Sequence, residues 1–265
     1  GQIGGTYLGI LAEDGEITLG RIVSDILEEG DSGIAFEVTS ILSFPEIGRA
    51  RSICWNQGSE IGGKKHLAVY GSASSDVFFV HCSNSISCKS SFINASIQDI
   101  KNVSMMENGA CWVVGSDGSA EKFQYSGSSF QSSLSLKLPL NDINSVKIAE
   151  IAGLTYFIVV CNSVLSVFAS NTSGEAPIRV SSMDLNFNAK ESIFDTNTHT
   201  LALFSNGHQE IQIISLSKFS SPQNVPHSFN PASSIVLDAI FDSNNCKKEC
   251  NTTTCSVIFY YSDSI

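Results

Sequence analysis

Charged side chains are scarce in this chain, and basic ones are the scarcest. Only 15% of the 265 residues are charged, with 15 Lys and Arg against 26 Asp and Glu, which gives a formal net charge of −11. No basic cluster is longer than the dipeptide Lys64-Lys65. A chain with this balance repels a phosphate backbone, so we expect no nucleic-acid partner.

The chain also lacks a long apolar run. The longest, Ile148–Cys161, spans about 14 residues, short of the roughly 20 that an apolar helix needs to cross a bilayer. It carries Glu150 and Gly153, which predicts two core strands around a turn. We therefore expect no direct membrane insertion.

Catalytic signatures are missing as well. The sequence contains no Gly-x-Ser-x-Gly elbow, no His-Glu-x-x-His and no dinucleotide-binding Gly-rich loop. The segment Gly115–Gly118 is typical of a tight hairpin turn. We expect a non-catalytic protein without a cofactor.

What the chain does contain is a recurring unit of roughly 45 residues, each with an apolar strand, a polar turn, a second apolar strand and a turn rich in Ser, Gly, Asn or Asp. The first turns fall at Glu13, Asn56, Glu107, Glu150, Asp195 and Asp242, with spacings of 43, 51, 43, 45 and 47. The second strands are short continuous apolar runs, which favour burial on both faces: Leu67–Tyr70, Cys111–Val114, Phe157–Val160, Leu201–Phe204 and Val257–Tyr260. The predicted third strands instead alternate apolar and polar residues, as in Glu121–Tyr125 and Glu210–Ile213, which indicates one wetter face. One short helix is indicated from Ser24 to Glu29.

In period and strand order the chain resembles β-propeller repeats of the WD40 or kelch kind, although their signature dipeptides are absent: Trp112 is followed by Val and Trp55 by Asn. The resemblance implies an all-β, propeller-like fold of about six four-stranded blades with the last incomplete. A β-sandwich or a β-solenoid is the alternative. We expect one domain over residues 1–265, with blades at 1–46, 47–97, 98–140, 141–186, 187–230 and 231–265.

The last unit supplies only two strands, Ser234–Phe241 and Ser256–Tyr261, before Ile265. A half-built blade would leave open sheet edges. We expect either that Gly1–Tyr7 supplies a missing strand or, preferably, that this chain is part of a longer one.

The eight cysteines indicate an oxidising compartment. Cys82 and Cys88 bracket a polar loop, and Cys246, Cys250 and Cys255 crowd a polar insertion between two strands. Free cysteines prefer burial, so cysteines in hydrophilic loops predict disulfides. Cys54, Cys111 and Cys161 lie on predicted strands as buried thiols or as partners of the odd cysteine.

Four glycosylation sequons occur, at Asn94, Asn102, Asn171 and Asn251. Their number is what chance alone would give, but three of them fall in predicted loops or outer edges: Asn94, Asn171 and Asn251. We expect N-glycans on at least two of the four if the chain is secreted.

The acids at the first turns are the only candidates for chemistry. Radially arranged blades would place Glu13, Glu107, Glu150, Asp195 and Asp242 at equivalent corners of one face. Calcium binding at Asp195 and Asp242, or glycosidase chemistry by two of the acids, is possible in principle. The preferred interpretation is that each acid accepts hydrogen bonds within its own turn.

These features together predict an extracellular or cell-surface scaffold or adhesion module, N-glycosylated and disulfide-bonded, and part of a larger assembly or filament. Its expected partners are other protein domains, copies of itself, or glycans. The alternatives are an intracellular protein-interaction propeller with free thiols and a carbohydrate-active enzyme.

Overall fold

The computed structural model describes the backbone in fourteen segments of the chain: residues 6–11, 16–26, 32–43, 50–55, 64–71, 76–83, 88–106, 108–126, 129–171, 174–195, 198–206, 210–225, 235–249 and 252–262. Side chains are described for Glu16, for Val77 and, within these segments, between residues 95 and 225.

The described residues form 21 strands, numbered here in chain order: β1 (Thr6–Leu11), β2 (Glu16–Ile26), β3 (Ser32–Ser43), β4 (Ala50–Trp55), β5 (Lys64–Gly71), β6 (Asp76–Ser83), β7 (Cys88–Asn94), β8 (Ile100–Met105), β9 (Cys111–Gly115), β10 (Ser119–Tyr125), β11 (Phe130–Lys137), β12 (Ser145–Ile151), β13 (Leu154–Cys161), β14 (Val164–Ser170), β15 (Ile178–Asp184), β16 (Ala189–Asp195), β17 (Thr200–Ser205), β18 (Ile211–Ser215), β19 (Gln223–Asn224), β20 (Ile235–Glu249) and β21 (Thr252–Ser262).

The strands form six sheets in which neighbours in the sheet are also neighbours in the chain. Strands β1–β3 make a three-stranded sheet and β20–β21 a two-stranded one. The four sheets between them have four strands each: β4–β7, β8–β11, β12–β15 and β16–β19. This antiparallel meander of four-stranded sheets is the blade pattern of a propeller, and the predicted fold class is confirmed.

The predicted short helix at Ser24–Glu29 is wrong where the structure describes it. Ser24, Asp25 and Ile26 are the last residues of strand β2 and pair with Ile34, Gly33 and Ser32 of β3. Pairing along a long hairpin outweighs a local capping signal, because helix propensity is a small term beside tertiary contacts. Residues 27–30 lie outside the described part of the chain.

The chain divides into two compact units. The first comprises Gly1–Val113 and Glu121–Leu134, and the second comprises Val114–Ala120 and Ser135–Ile265. The predicted single domain stays a prediction, and each unit is described by itself.

In the first unit, strands β4 and β5 contact β8 of the following sheet. A buried apolar cluster spans these elements, with Val77 of β6, Ile100 and Val103 of β8, and Cys111 and Val113 of β9 among its members. Apolar contacts between successive sheets therefore hold this unit together.

In the second unit, the first strands of successive sheets contact one another, β12 with β16 and β16 with β20. The core cluster between β12–β15 and β16–β19 contains ten buried residues: Ile158, Val160, Leu165, Val167, Leu185, Ala189, Leu201, Leu203, Ile214 and Leu216. Two polar contacts supplement it. Ser145 and Ser192 share a buried hydrogen bond of 2.7 Å between their hydroxyls, and the Asn144 amide donates to the Ala189 carbonyl at 3.0 Å.

The continuous apolar runs behave as expected. The second strand of three sheets is buried along its whole run, in Cys111–Gly115, Phe157–Val160 and Leu201–Phe204. Because successive side chains of a strand point to opposite faces, full burial requires packing on both sides of the sheet. These runs therefore mark sheets that are covered on both faces.

Strand β18 alternates in burial as expected, but its buried face carries a polar residue. Its apolar residues Ile211 and Ile213 are half-buried, whereas Gln212 is only 3% exposed. The buried amide has partners, since the Asn186 backbone N–H donates to its Oε1 at 3.1 Å and its Nε2 donates to Asn224 Oδ1 at 2.6 Å. The wetter face of β18 is therefore the one that carries Ile211 and Ile213, and the buried face carries Gln212 and Ile214.

The hairpin predicted at Gly115–Gly118 is present and is built into its surroundings. Gly118 N–H donates to the Gly115 carbonyl at 3.1 Å, and its own carbonyl accepts from the Leu138 N–H at 2.9 Å. Gly118 has a φ of +85°, and a Cβ there would lie 2.5 Å from the Leu140 carbonyl oxygen and 2.8 Å from that of Leu138. Only glycine fits this backbone without movement.

Substituting Gly118→Ala therefore tests how tightly this turn is packed. We expect a loss in the free energy of unfolding of roughly 3 kcal/mol or more, since a positive φ and a clash with backbone oxygens add together. The matched control is Gly153→Ala, because Gly153 has a φ of +79° but a Cβ added there would meet no atom within 4 Å. It should lose only about 1–2 kcal/mol. Urea unfolding of both variants gives the comparison, and equal losses would contradict the packing argument.

Candidate functional site

Asp195 is the best described of the acids predicted to share one face, and it serves its own hairpin. It is the last residue of β16 and is 8% exposed. Thr198 in the turn donates its hydroxyl to Asp195 Oδ2 at 2.6 Å, and Thr198 and Thr200 hydroxyls lie 3.0 Å apart. Asp195 thus accepts a hydrogen bond within its turn, as the preferred interpretation of these acids expects.

Glu150 and Asp242 lie inside their ladders rather than at turn tips. Glu150 of β12 is the Cα partner of Thr155, and Asp242 of β20 is the Cα partner of Ser256. The turn after Glu150 is made by Ala152 and Gly153, with φ of 51° and 79°. Glu13 and Glu107 lie outside the described residues.

Calcium binding at Asp195 and Asp242 stays a prediction. Within the part of the chain that is described, no three His, Cys, Asp or Glu side chains converge as a metal site. That same part contains no helix with the length and hydrophobicity to traverse a bilayer.

Asp117, at the tip of the Gly115–Gly118 turn, is a carboxylate with several described partners. Lys137 donates to Asp117 Oδ2 at 2.6 Å, Ser119 donates its hydroxyl to Oδ2 at 2.7 Å, and the Ser119 N–H donates to Oδ1 at 3.0 Å. Lys137 also donates to the Ser119 hydroxyl at 3.1 Å. Sequence reasoning identified the turn but not this cluster, because Lys137 is 20 residues away and reaches it only through the pairing of β10 with β11.

These contacts change the acidity of Asp117. Partial burial acts to raise its pKa, but the hydrogen bonds from Lys137 and Ser119 and the positive charge of Lys137 outweigh burial and hold the pKa at about 2. Asp117 therefore stays ionised throughout the neutral range. Its contacts join the turn to strand β11, and both members of the ion pair, Asp117 and Lys137, are largely solvent-exposed.

An apolar surface feature lies on β15, the last strand of its sheet. Ile178 is 71% exposed, and Val180 on the same strand is also exposed. The adjacent Ser181, in contrast to these exposed side chains, is hydrogen-bonded: its hydroxyl donates to the Phe219 carbonyl at 2.6 Å. Large exposed apolar side chains on an outer strand suit contact with another protein.

The predicted glycosylation sites differ in their surroundings. Asn102 in β8 is 8% exposed, and its Nδ2, the atom that would carry a glycan, donates to Ser104 Oγ at 2.5 Å. Asn171 follows β14 and is half-buried, with its Nδ2 donating to Glu175 at 2.7 Å on the surface. Asn94 is the last residue of β7, and Asn251 lies outside the described residues.

Two cysteines have described side chains, and both are reduced thiols: Cys111, which is buried, and Cys161, which is half-buried. Burial raises the pKa of Cys161, and the negative charge of Asp142 raises it further. The Cys161 thiol also points its hydrogen to the Asn141 carbonyl at 3.7 Å. Among the predicted disulfide cysteines, Cys82 lies in β6 and Cys88 in β7, while Cys250 is outside the described residues. The prediction that Cys246 and Cys255 lie in an insertion between two strands is wrong, because β20 and β21 extend through these positions as one long hairpin.

Removing the Asp142 charge should make Cys161 more reactive. We expect Asp142→Asn to lower the thiol pKa and to speed alkylation of Cys161 a few-fold at slightly alkaline pH, since the thiolate is the nucleophile. Asn also tolerates the positive φ of 56° at this position. The measurement is the rate of iodoacetamide labelling of Cys161, resolved by peptide mass spectrometry.

The matched control is Glu150→Gln, which removes a negative charge from the far end of the β12–β13 hairpin. It should leave the rate unchanged. If both variants alkylate at the wild-type rate, the charge of Asp142 does not act on Cys161.

Comparisons with known proteins bear on the fold. No family model matches this sequence, and neither does any curated protein. Among solved structures, a 6-phosphogluconolactonase-like protein from Bacteroides fragilis superposes with a TM-score of 0.53 at 11% identity, over 80% of this chain and 64% of that one. A functionally unknown protein from Desulfotomaculum acetoxidans gives 0.56 at 12%, over 84% and 86%.

Sqt1 from Chaetomium thermophilum, a WD40 protein, superposes with a TM-score of 0.53 at 13% identity, over 82% of this chain and 55% of its own. The chain thus spans less than two thirds of the length of some of these structures. At such identities the likeness shows the fold alone. The chain has a β-propeller fold of antiparallel blades.

Proposed function

We propose that this chain is a non-catalytic propeller scaffold that works outside the cell and binds other protein domains or copies of itself. The observation that carries the proposal is the state of Asp195. This acid, one of the two candidates for calcium binding, is buried and accepts a hydrogen bond from Thr198 of its own turn. A carboxylate used in this way shapes a hairpin and is poorly placed to act on a substrate.

The outer strands support a role in binding. Strand β11 exposes a run of uncharged polar side chains, Gln131, Ser132, Ser133 and Ser135, and β15 exposes Ile178 and Val180. Surfaces that combine hydroxyl or amide groups with a few apolar anchors are suited to protein contacts. The WD40 likeness of Sqt1 agrees with an interaction role at the level of fold.

The extracellular part of the proposal is supported by the cysteines and one sequon. Four of the cysteines predicted to be oxidised lie on two hairpins, β6–β7 and β20–β21. The Asn171 amide donates to Glu175 at the protein surface. Both features suit an oxidising, glycosylating route.

Surface labelling tests the location. Intact cells of the source organism are treated with a membrane-impermeant biotin ester, and the chain is then recovered with a specific antibody. We expect biotin on the chain without permeabilisation, as on a known surface protein, while a cytosolic protein stays unlabelled. Labelling only after permeabilisation would favour the intracellular interaction propeller instead.

Glycan occupancy tests the same proposal site by site. When the chain is expressed through a eukaryotic secretory pathway, Asn171→Gln should remove one glycan, seen as a mobility shift that endoglycosidase abolishes. Asn102→Gln should leave the glycan pattern unchanged, because a buried amide bonded to Ser104 has no room for a sugar. A glycan on Asn102 of the folded, secreted chain would contradict this.

A further inference from the structure

The hairpin of β6 and β7 brings two cysteines to one register position. Cys82, next to the last residue of β6, is the Cα partner of Cys88, the first residue of β7. The pairing continues without a register shift from Cys82↔Cys88 to Asp76↔Asn94. The position of the two cysteines is therefore fixed by seven consecutive pairs.

Direct opposition in an antiparallel ladder has the dimensions of a disulfide. Opposed residues have Cα atoms about 4.5–5.5 Å apart and share one face of the sheet. Disulfides join Cα atoms about 4.4–6.8 Å apart. The backbone at Cys82 and Cys88 thus satisfies the first geometric requirement of a cross-strand bridge.

Two other cysteines on described strands are opposed by apolar residues. Cys54 of β4 is opposed by Ala68, and Cys161 of β13 is opposed by Val164. Cys111 and Cys161 are reduced thiols. Opposition of two cysteines at Cys82 and Cys88 is therefore a feature of this hairpin and not of every cysteine on these sheets.

We propose that Cys82 and Cys88 form a disulfide that closes the end of the β6–β7 hairpin. The bridge rests on the proposed extracellular function for its oxidant but not for its geometry. A protein or glutathione disulfide accepts the two electrons: one cysteine thiolate attacks it to give a mixed disulfide, the second displaces the carrier thiolate, and two protons are released from the chain. The carrier leaves as two thiols and the chain keeps one S–S bond.

The bridge has a structural consequence for the sheet. Strand β7 is the last strand of the sheet β4–β7, so it pairs on one side only. The end of such an edge strand is prone to fraying and to pairing with other chains. A covalent link at the first residue of β7 holds that end on β6.

Peptide mapping of the full chain tests the pairing. The purified protein is equilibrated in a glutathione redox buffer, its remaining thiols are blocked with N-ethylmaleimide, and it is digested with trypsin without reduction. Cys82 and Cys88 fall in one peptide, His66–Lys89. We expect this peptide unlabelled and lighter than its reduced form by two hydrogen atoms.

A shifted cysteine is the matched control. In the double variant Cys88→Ser with Ser90→Cys, the second cysteine stands opposite Val80, diagonal to Cys82, about 7–8 Å away in Cα distance and beyond disulfide reach. We expect no link between the peptides that carry positions 82 and 90. The single variant Cys54→Ser should leave the wild-type bridge intact.

The proposal is overturned by a wild-type peptide His66–Lys89 that carries two maleimides, or by one of its cysteines linked to another peptide. A link in the shifted variant as efficient as in wild type would also overturn it, because pairing would then not follow the register. If the bridge forms in glutathione buffer but is absent from chain isolated from cells, the pairing stands and the proposed extracellular location fails.

The register of the β20–β21 hairpin supports a second disulfide, between Cys246 and Cys255. On the β20–β21 hairpin Asp242 is opposed by Ser256 and Lys247 by Thr254, with a register shift between them. Cys255 is thus the one residue of β21 between these pairs, and Cys246 is the last of the four β20 residues between them, next to the pair Lys247↔Thr254. We propose a Cys246–Cys255 disulfide, formed by the same exchange with a disulfide oxidant.

Trypsin separates these cysteines into Phe219–Lys247, which holds Cys246, and Glu249–Ile265, which holds Cys250 and Cys255. We expect the two peptides to be linked, and the link to persist in Cys250→Ser and to be lost in Cys255→Ser. The reverse pattern assigns the bridge to Cys250 and overturns this pairing, as does a bridge confined to Glu249–Ile265.

Discussion

Burial of the second strand of a sheet on both faces is the constraint on which the rest of this structure depends. In β9, β13 and β17 successive residues point to opposite faces and are nevertheless buried, so each of these sheets needs covering on both sides. An isolated copy of the repeat would expose one apolar face to water, and burying such a side chain contributes about 1.5–3 kcal/mol. Stacking of successive sheets follows from that requirement. The polar groups caught between them must then find partners, as Ser145 does with Ser192 and Gln212 does with Asn186 and Asn224.

The sequence was a good guide wherever one residue type decides the outcome locally. A continuous apolar run such as Leu201–Phe204 is fully buried only when both faces of its sheet are packed. Replacing Gly118 would strain the backbone of its turn. The all-β fold and the turns were therefore predictable. It failed where a distant strand decides. Ser24 has the local features of a helix cap, but β3 pairs with it, and Gln212 resembles a wet position until Asn186 and Asn224 reach it. The Asp117–Lys137 pair is the same case in the candidate site, because no local pattern links residues 20 apart.

Repetition of the fold offers a structural explanation for the repeated acids. Equal spacing placed Glu150, Asp195 and Asp242 at similar points of successive sheets, which suggested a ring of carboxylates. Each of the three lies on the first strand of its sheet opposite a Thr or Ser of the second, as Asp195 does with Thr200 and Asp242 with Ser256. The described hydroxyl donor to Asp195 is Thr198 of its own turn. A short hydroxyl opposite a carboxylate suits a hydrogen-bonded cross-strand pair. A repeated fold therefore predicts repeated acids at these positions, and calcium binding at Asp195 and Asp242 stays a prediction beside it.

In a fold of stacked sheets, binding specificity is left to the residues that do not pack between sheets. Stacked sheets fix the inner strands, and identities of 11–13% to other propellers show that very different sequences meet the same packing demand. The hairpin ends and outer strands escape that demand, and here they carry Cys82, Cys88 and Ile178. An outer strand pairs on one side only, so it is both the most available surface and the least secured element of its sheet. Disulfides at hairpin ends would hold an outer strand on its sheet and still leave its outward face free for binding. Binding and stability then depend on different atoms of the same edge.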